Sequence, residues 1–469
     1  MPSIEIFERD LTSGGGRNTN FNVVYIPGFM SNDISTDDKT TPMTATGAWP
    51  VVAKKTPTTV EGETTVTTTY VVDVTTAATA RTPILCESIS DFEKYFGTKP
   101  AVFNKGEGTR KVDLSYIYAK ELLKLGLPVL YESMNGLSNG AITAPVASGK
   151  TPEEVISEAI SSTTDGLFGK LGDKGEYQFK YLTTGGYPIC EVDATSHESI
   201  NVTNAKVMAK LAFKRGDCIA LLDYTNDADV DLSELYKDII TKVKDMDGAD
   251  QCAIFTPWVN VDCTTYKATK DEKEGNTFTM PPSFAYLTAL AKSIRTNASW
   301  LAVAGATRGQ IPNLNGKEPL VNVLSNSVAE SFQNRDGISI NAITNIKPFG
   351  YRIWGNRTLK DNSYEGNLTA TSFLNIRNLI CDVKKVVYEA CRKYTFEQNN
   401  DVLWLNFKSY IEPTLNQMKT GAGLSGYKIV KGETTEKAKL VAQIKLYPLY
   451  AVEDFTVEVQ MLDDKIAVS

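Results

Sequence analysis

The chain contains a single histidine, His197, among 469 residues, so chemistry that needs two or more imidazoles is excluded, although one histidine can still serve a triad. Its seven cysteines are scattered with no CxxC pair, which indicates neither a disulfide framework nor a zinc site; reduced, mostly buried thiols are expected. Long hydrophobic runs are also missing. Stretches such as Trp300 to Ala306 and Cys218 to Leu222 fall far short of the ~20 residues of a membrane span, so no span is expected. There is no excess of positive charge: 49 Lys and Arg face 56 Asp and Glu, for a net charge of -7, and nucleic acid is not an expected partner. The start, Met1-Pro-Ser-Ile-Glu-Ile-Phe-Glu8, lacks the basic and apolar regions of a secretory signal, so folding is expected to begin in the cytoplasm.

What is present is the composition of a folding, soluble chain: 42% hydrophobic and 22% charged residues. Length alone suggests about three units at ~150 residues each. Residues 3 to 8 alternate, with Ile4 and Ile6 on one side and Phe7 on the other, which is the period of a strand. Gly14, Gly15 and Gly16 follow as a flexible tether and candidate hinge. A strand at 21–26 closes at Pro27-Gly28, and the Thr- and Val-rich stretch 33–82 reads as a surface hairpin. From Pro83 the pattern alternates. Helices are expected at 90–97, 114–125, 201–214, 232–244 and 282–294, with strands at 128–131, 218–223 and 253–256. Such alternation implies a parallel or mixed sheet covered on both faces. The last third offers strand candidates at 321–324 and 337–342. A long helix there is apolar at Phe373, Ile376, Ile380, Val383, Val387 and Ala390; a second helix at 402–418 and strands at 440–447 and 455–459 follow. The fold class is therefore α/β plus α+β. The expected organisation is a strand arm and tether (1–20), an N-terminal α/β region with the hairpin insertion (21–176), a middle α/β domain (177–345) and an α+β C-terminal domain with a closing strand arm (346–469).

Catalytic motifs are sparse. Gly136-Leu-Ser138-Asn-Gly140 matches GxSxG, with Asp193 and His197 in hydrolase order, but Pro145 leaves little room for the helix that should follow, and Asp193 lies only four residues before His197. A loose P-loop match ends at Gly149-Lys150-Thr151, with Pro145 and Pro152 removing amides that would cradle phosphate. Gly421-Ala-Gly423-Leu-Ser-Gly426 matches GxGxxG but follows a helix instead of a strand. Asp227, Asp229 and Asp231 open like a calcium loop whose turn glycine is replaced by Leu232. No cofactor, metal or catalytic residue is assigned.

Other segments resemble the contractile-tail sheath family in an order that spans most of the chain. The strongest is Asn334-Arg-Asp-Gly337-Ile-Ser-Ile-Asn341, followed by Gly350-Tyr-Arg-Ile-Trp354-Gly355-Asn-Arg357-Thr358. Around it lie Ser88 to Gly97, Pro281-Pro282-Ser283, Arg308-Gly309, Phe373 to Arg377 and Gly421 to Tyr427. Trp354-Gly355 is expected to let an indole pack while the chain passes closely overhead. The resemblance implies a non-enzymatic structural subunit with a subtilisin-like middle domain. It would polymerise helically around an inner tube and contract to drive that tube through a cell envelope. The implied partners are further copies of the chain, the inner tail tube protein, and baseplate and tail terminator proteins. The implied location is a virion tail, or a tailocin or injection particle, assembled in the bacterial host cytoplasm. Family members lend terminal strands to a neighbour's C-terminal sheet, which points to Ile4, Ile6, Phe7, Phe455, Val457 and Val459 as strand-exchange residues. The family docks on its tube through the C-terminal domain, where Lys384, Lys385, Arg392 and Lys393 form a basic cluster on the long helix.

Overall fold

The computed structural model describes residues 22–29, 51–60, 63–72, 83–103, 111–134, 137–138, 141–142, 152–161, 170–188, 203–224, 246–266, 276–333, 337–362 and 368–453, with scattered helical positions between 236 and 243. The expected strand-exchange residues at both ends, the glycines 14–16, Lys150, Asp193, His197 and the 227–231 aspartates lie outside these residues.

An eight-stranded sheet forms the body. Its strands in chain order are β1 (Val24–Gly28), β2 (Ile84–Cys86), β3 (Val129–Ser133), β4 (Tyr181–Leu182), β5 (Ile219–Leu222), β6 (Cys252–Thr256), β7 (Asn341–Ile346) and β8 (Gly350–Trp354). Across the sheet they run β8-β7-β6-β5-β4-β1-β3-β2. All neighbours from β7 to β3 are parallel, and β8 and β2 add an antiparallel strand at each edge. The apolar runs explain the two-sided cover: in β1, Val24 and Ile26 enter one core while Tyr25 enters the other, and in β5 Ile219 and Leu221 oppose Ala220 and Leu222. One core is closed by the helix Leu114–Lys124 and the helix Pro282–Ser293, the other by the helix Thr203–Arg215.

Helix limits follow local chemistry. Ser88 Oγ accepts from Asp91 N at 3.1 Å to start the helix Ile89–Phe96, and Gly97 ends it at a φ of +84°. Within 33–82, Val51–Val60 pairs antiparallel with Glu63–Val72, as the hairpin reading expects.

The sheet crosses two expected boundaries. Strands from 21–176 and from 177–345 share its centre, because β1 is hydrogen-bonded to both β3 and β4, and the division at 345/346 falls inside the β7–β8 hairpin. A separate apolar cluster appears only further on. There the helices Leu374–Tyr394 and Asp401–Thr420 pack with the antiparallel hairpin Leu424–Lys431 and Ala442–Pro448. Three local expectations are corrected. Residues 321–324 form no strand: an isolated bridge joins the preceding Leu320 to Val259, and Val321 N donates to Trp258 O at 3.0 Å. Residues 337–340 precede β7 and do not belong to it. The segment Gly421 to Tyr427, a turn in the family it resembles, is a turn only as far as Gly423, whose N–H donates to Met418 O at 2.8 Å; Leu424 opens the strand Leu424–Lys431.

Candidate functional site

Ligands of open α/β sheets bind at the carboxyl ends of the strands where strand order reverses, here beside β1 and β4. That position is filled by the chain itself. Asp113 caps the helix Leu114–Lys124 and lies fully buried. Its carboxylate accepts from Ser115 N (3.0 Å), Ser115 Oγ (2.8 Å), Phe29 N (3.3 Å) and Tyr187 OH (2.5 Å). Tyr131 OH donates to Phe29 O at 2.9 Å. Burial raises the Asp113 carboxyl to about 6 despite those hydrogen bonds. Beyond β5 a second carboxylate, Asp223, accepts from Ser283 N (3.1 Å) and Ser283 Oγ (2.5 Å), and burial raises it to about 7. These groups plug the sheet's carboxyl end, with Tyr118 OH and Ser283 Oγ 2.9 Å apart beneath them. Ser138, the GxSxG candidate, sits in a two-residue strand paired with Ala141–Ile142, which is not a strand-to-helix elbow. Among the described residues no group of three His, Cys, Asp or Glu is placed to hold a metal, and no helix is long and apolar enough to cross a membrane.

The motif residues Asn341, Trp354, Gly355, Arg357 and Thr358 converge where the sheet meets the C-terminal unit. Pairing of Ala342 with Trp354 brings Asn341 against Gly355. A Cβ at Gly355 would stand 2.7 Å from Asn341 Oδ1 and 2.8 Å from Asn341 Cα, so the glycine is required by this close approach. Trp354 is only half-buried, which corrects the expected packed indole: the group that comes close to Gly355 is the Asn341 amide. That amide donates from Nδ2 to Ile254 O (3.0 Å) and Arg357 O (2.9 Å), and its Oδ1 accepts from Arg357 N (2.7 Å). Arg357 is thereby held at its backbone. Its guanidinium lies 4.5 Å over the Phe373 ring and grips Glu453 with two nitrogens, Nε to Oε1 at 3.1 Å and Nη2 to Oε2. Thr358 Oγ1 donates to Thr371 O at 2.8 Å, fixing the chain before the long helix. Gly337, with φ +88°, turns the chain into this region and accepts Asn362 N through its carbonyl. Glu453 and Tyr450, whose ring meets Phe373 edge-on at 5.2 Å, are the members that sequence reading missed. Glu453 lies 96 positions from Arg357, beyond the reach of any local spacing rule.

The glycines of 421–426 have a packing role. A Cβ at Gly423 would meet the Trp300 indole at 2.5 Å, and Trp300 Nε1 donates to Gly421 O at 2.9 Å. Of the expected basic cluster, Lys384, Arg392 and Lys393 are exposed. Lys385 is not part of that surface: it is buried, 3.1 Å from Asp217 and donating to Phe179 O at 2.7 Å. A cation committed to a buried carboxylate is unavailable to an outside partner. The same helix is tied to the body by Lys180–Asp382 at 2.8 Å, by Arg377–Asp250, and by Asn378 between Tyr181 OH and Tyr286 OH.

No family model matches the chain. Over 166 residues it is 25% identical to the tail sheath protein of Vibrio phage KVP40, a match covering 34% of this chain and 23% of that protein's length. In fold it matches a chain of the anti-feeding prophage baseplate with a TM-score of 0.54, at 14% identity, over 99% of both chains. Weaker likenesses reach the contracted sheath complex of an extracellular contractile injection system (TM-score 0.46, 15% identity, 99% of this chain and 98% of the other) and a sheath tail protein of Desulfitobacterium hafniense (0.45, 9%, 95% and 100%). The chain is thus similar in sequence to a tail sheath protein and takes a mixed α/β fold shared, end to end, with a chain of a prophage baseplate assembly.

Proposed function

We propose that this chain is the structural subunit of a contractile sheath, polymerising helically around an inner tube and contracting to drive that tube through a cell envelope. The observation that carries the reading is the sequence match to a tail sheath protein, made by a chain whose own ordered motif residues cluster at one structural junction. A baseplate, a tail terminator and the tube are its further partners, in a virion tail or an injection particle assembled in the bacterial cytoplasm. The role is non-enzymatic: the sheet's carboxyl end, where an α/β enzyme would bind substrate, is occupied by Tyr187, Ser283 and two buried carboxylates. The middle of the chain is subtilisin-like in fold only.

Subunits join by strand exchange. The alternating segment with Ile4, Ile6 and Phe7, and that with Phe455, Val457 and Val459, add to the sheet of a neighbour's C-terminal unit, where the hairpin Leu424–Lys431 and Ala442–Pro448 is paired only with itself among the described residues. About four ladder hydrogen bonds at ~1 kcal/mol each and two isoleucines at ~1.5 to 3 kcal/mol each give roughly 10 kcal/mol before ordering entropy. Gly14 to Gly16 act as the joint that lets bodies reorient while the links persist. Lys384, Arg392 and Lys393 are the surface cations offered to an acidic tube. Deleting residues 1 to 10 tests the reading: a folded monomer that no longer sediments as polymer is expected, and polymers of normal length would overturn the exchange scheme.

A further inference from the structure

We infer that Arg357 and Glu453 form a latch that fixes the direction in which the chain leaves the body after residue 453. Its consequence for assembly rests on the strand-exchange reading. After the hairpin strand Ala442–Pro448, the chain runs back across the junction as a short strap. Leu449 N donates to Gly423 O at 3.1 Å, Tyr450 packs edge-on against Phe373, and Glu453 ends the strap in the Arg357 fork. Strap contacts are few elsewhere: Leu449, Tyr450 and Val452 are all exposed. Its course therefore depends on the two aromatic rings and the ion pair.

The latch is built for orientation. Arg357 is clamped behind by the Asn341 amide and below by Phe373, so the guanidinium plane is set before Glu453 arrives. Two parallel N–H bonds then fix the carboxylate's angle as well as its position, which the point charge of a lysine does not do. The Arg357 side chain is 9% exposed, and its Nη1 is buried without a hydrogen-bond partner, so Glu453 is the carboxylate that compensates this cation among the described residues. A chain that leaves its body in one fixed direction loses less conformational entropy when its end docks on a neighbour. The Asn341, Gly355 and Arg357 motif is thus a positioning device for the C-terminal link.

The test uses the full chain with Glu453→Gln and Arg357→Lys, read by hydrogen exchange at low concentration and by sedimentation of polymer. Exchange of the Leu449 amide, which donates to Gly423 O, is expected to quicken at least tenfold in Glu453→Gln, while the helix Leu374–Tyr394 exchanges as in the parent and so reports intact folding. Arg357→Lys, keeping the charge without the fork, is expected to loosen the strap as well, and both variants to lose polymer severalfold. Unchanged exchange in the strap would overturn the latch. A loosened strap with parent-level polymer would overturn its role in directing the link. A parent chain that forms no polymer would sink the sheath reading, and the exchange result would still judge the latch by itself.

Discussion

At Gly355 a single hydrogen separates a sound junction from a clash. Because Asn341 Oδ1, Cα and Cβ all stand within 2.9 Å of a would-be Cβ, Gly355→Ala must push apart a strand pair and the amide that holds Arg357. A loss of about 2 kcal/mol is expected in urea unfolding, within the usual range of overpacking costs; a change under ~0.5 kcal/mol would contradict the close approach. Asp223 gives a second residue-scale expectation. Its carboxyl binds a proton more tightly folded, at about 7, than at its ordinary 3.8, so its contribution to stability is complete below about pH 4 and is lost as pH rises through about 7. Asp223→Asn keeps an acceptor for Ser283 and removes the titration. The parent should lose stability between about pH 4 and 7 more steeply than the variant, with Asp113 contributing the same sign in both. Parallel stability curves would show that Asp223 is not buried in its neutral form. Both sites were only half legible in the sequence. Asn341 and Gly355 stood out as a pattern, yet the contact between them needs the β7–β8 register, and Asp223 looked like the polar end of an apolar strand.

Among the elements, the long helix Leu374–Tyr394 shows what periodicity can and cannot reveal. Its apolar stripe was readable, and Ile376, Val383 and Ala390 are indeed buried. Its polar face misled, because charge on a helix reads as solvated unless the partner is known. Lys385 and Asp382 instead form buried pairs with Asp217 and Lys180, which lie about 170 to 200 residues away in sequence. Removing one member of such a pair strands the other in a low-dielectric setting. Lys180→Met should therefore cost roughly 3 kcal/mol or more, whereas the double change with Asp382→Leu should recover much of it. Equal and additive losses in the cycle would mean that the pair is not coupled. The parallel strands were the most legible elements, since β5 and β6 are short apolar runs of the kind that two-sided burial demands. The antiparallel pair Val259–Asp262 and Thr277–Met280 was not read as a hairpin. Its two strands are separated by a stretch too long for any turn signal, and its outward residues are Asn, Asp and Thr.

For the whole molecule, the helical seam joins the C-terminal unit to the sheet through Arg377, Asn378, Asp382 and Lys385. The expected unit boundaries therefore do not act as hinges in the sheet: the break at 176/177 is spanned by backbone ladders, and that at 345/346 lies within strand β7, where Asn345 and Ile346 pair with Tyr351 and Gly350 of β8. Electron microscopy of the purified full chain, negatively stained, tests the sheath reading most directly. Hollow cylinders with helical striations are the expected result, forming from this one chain and vanishing when residues 1 to 10 are deleted. Compact monomers that persist at high concentration would contradict it.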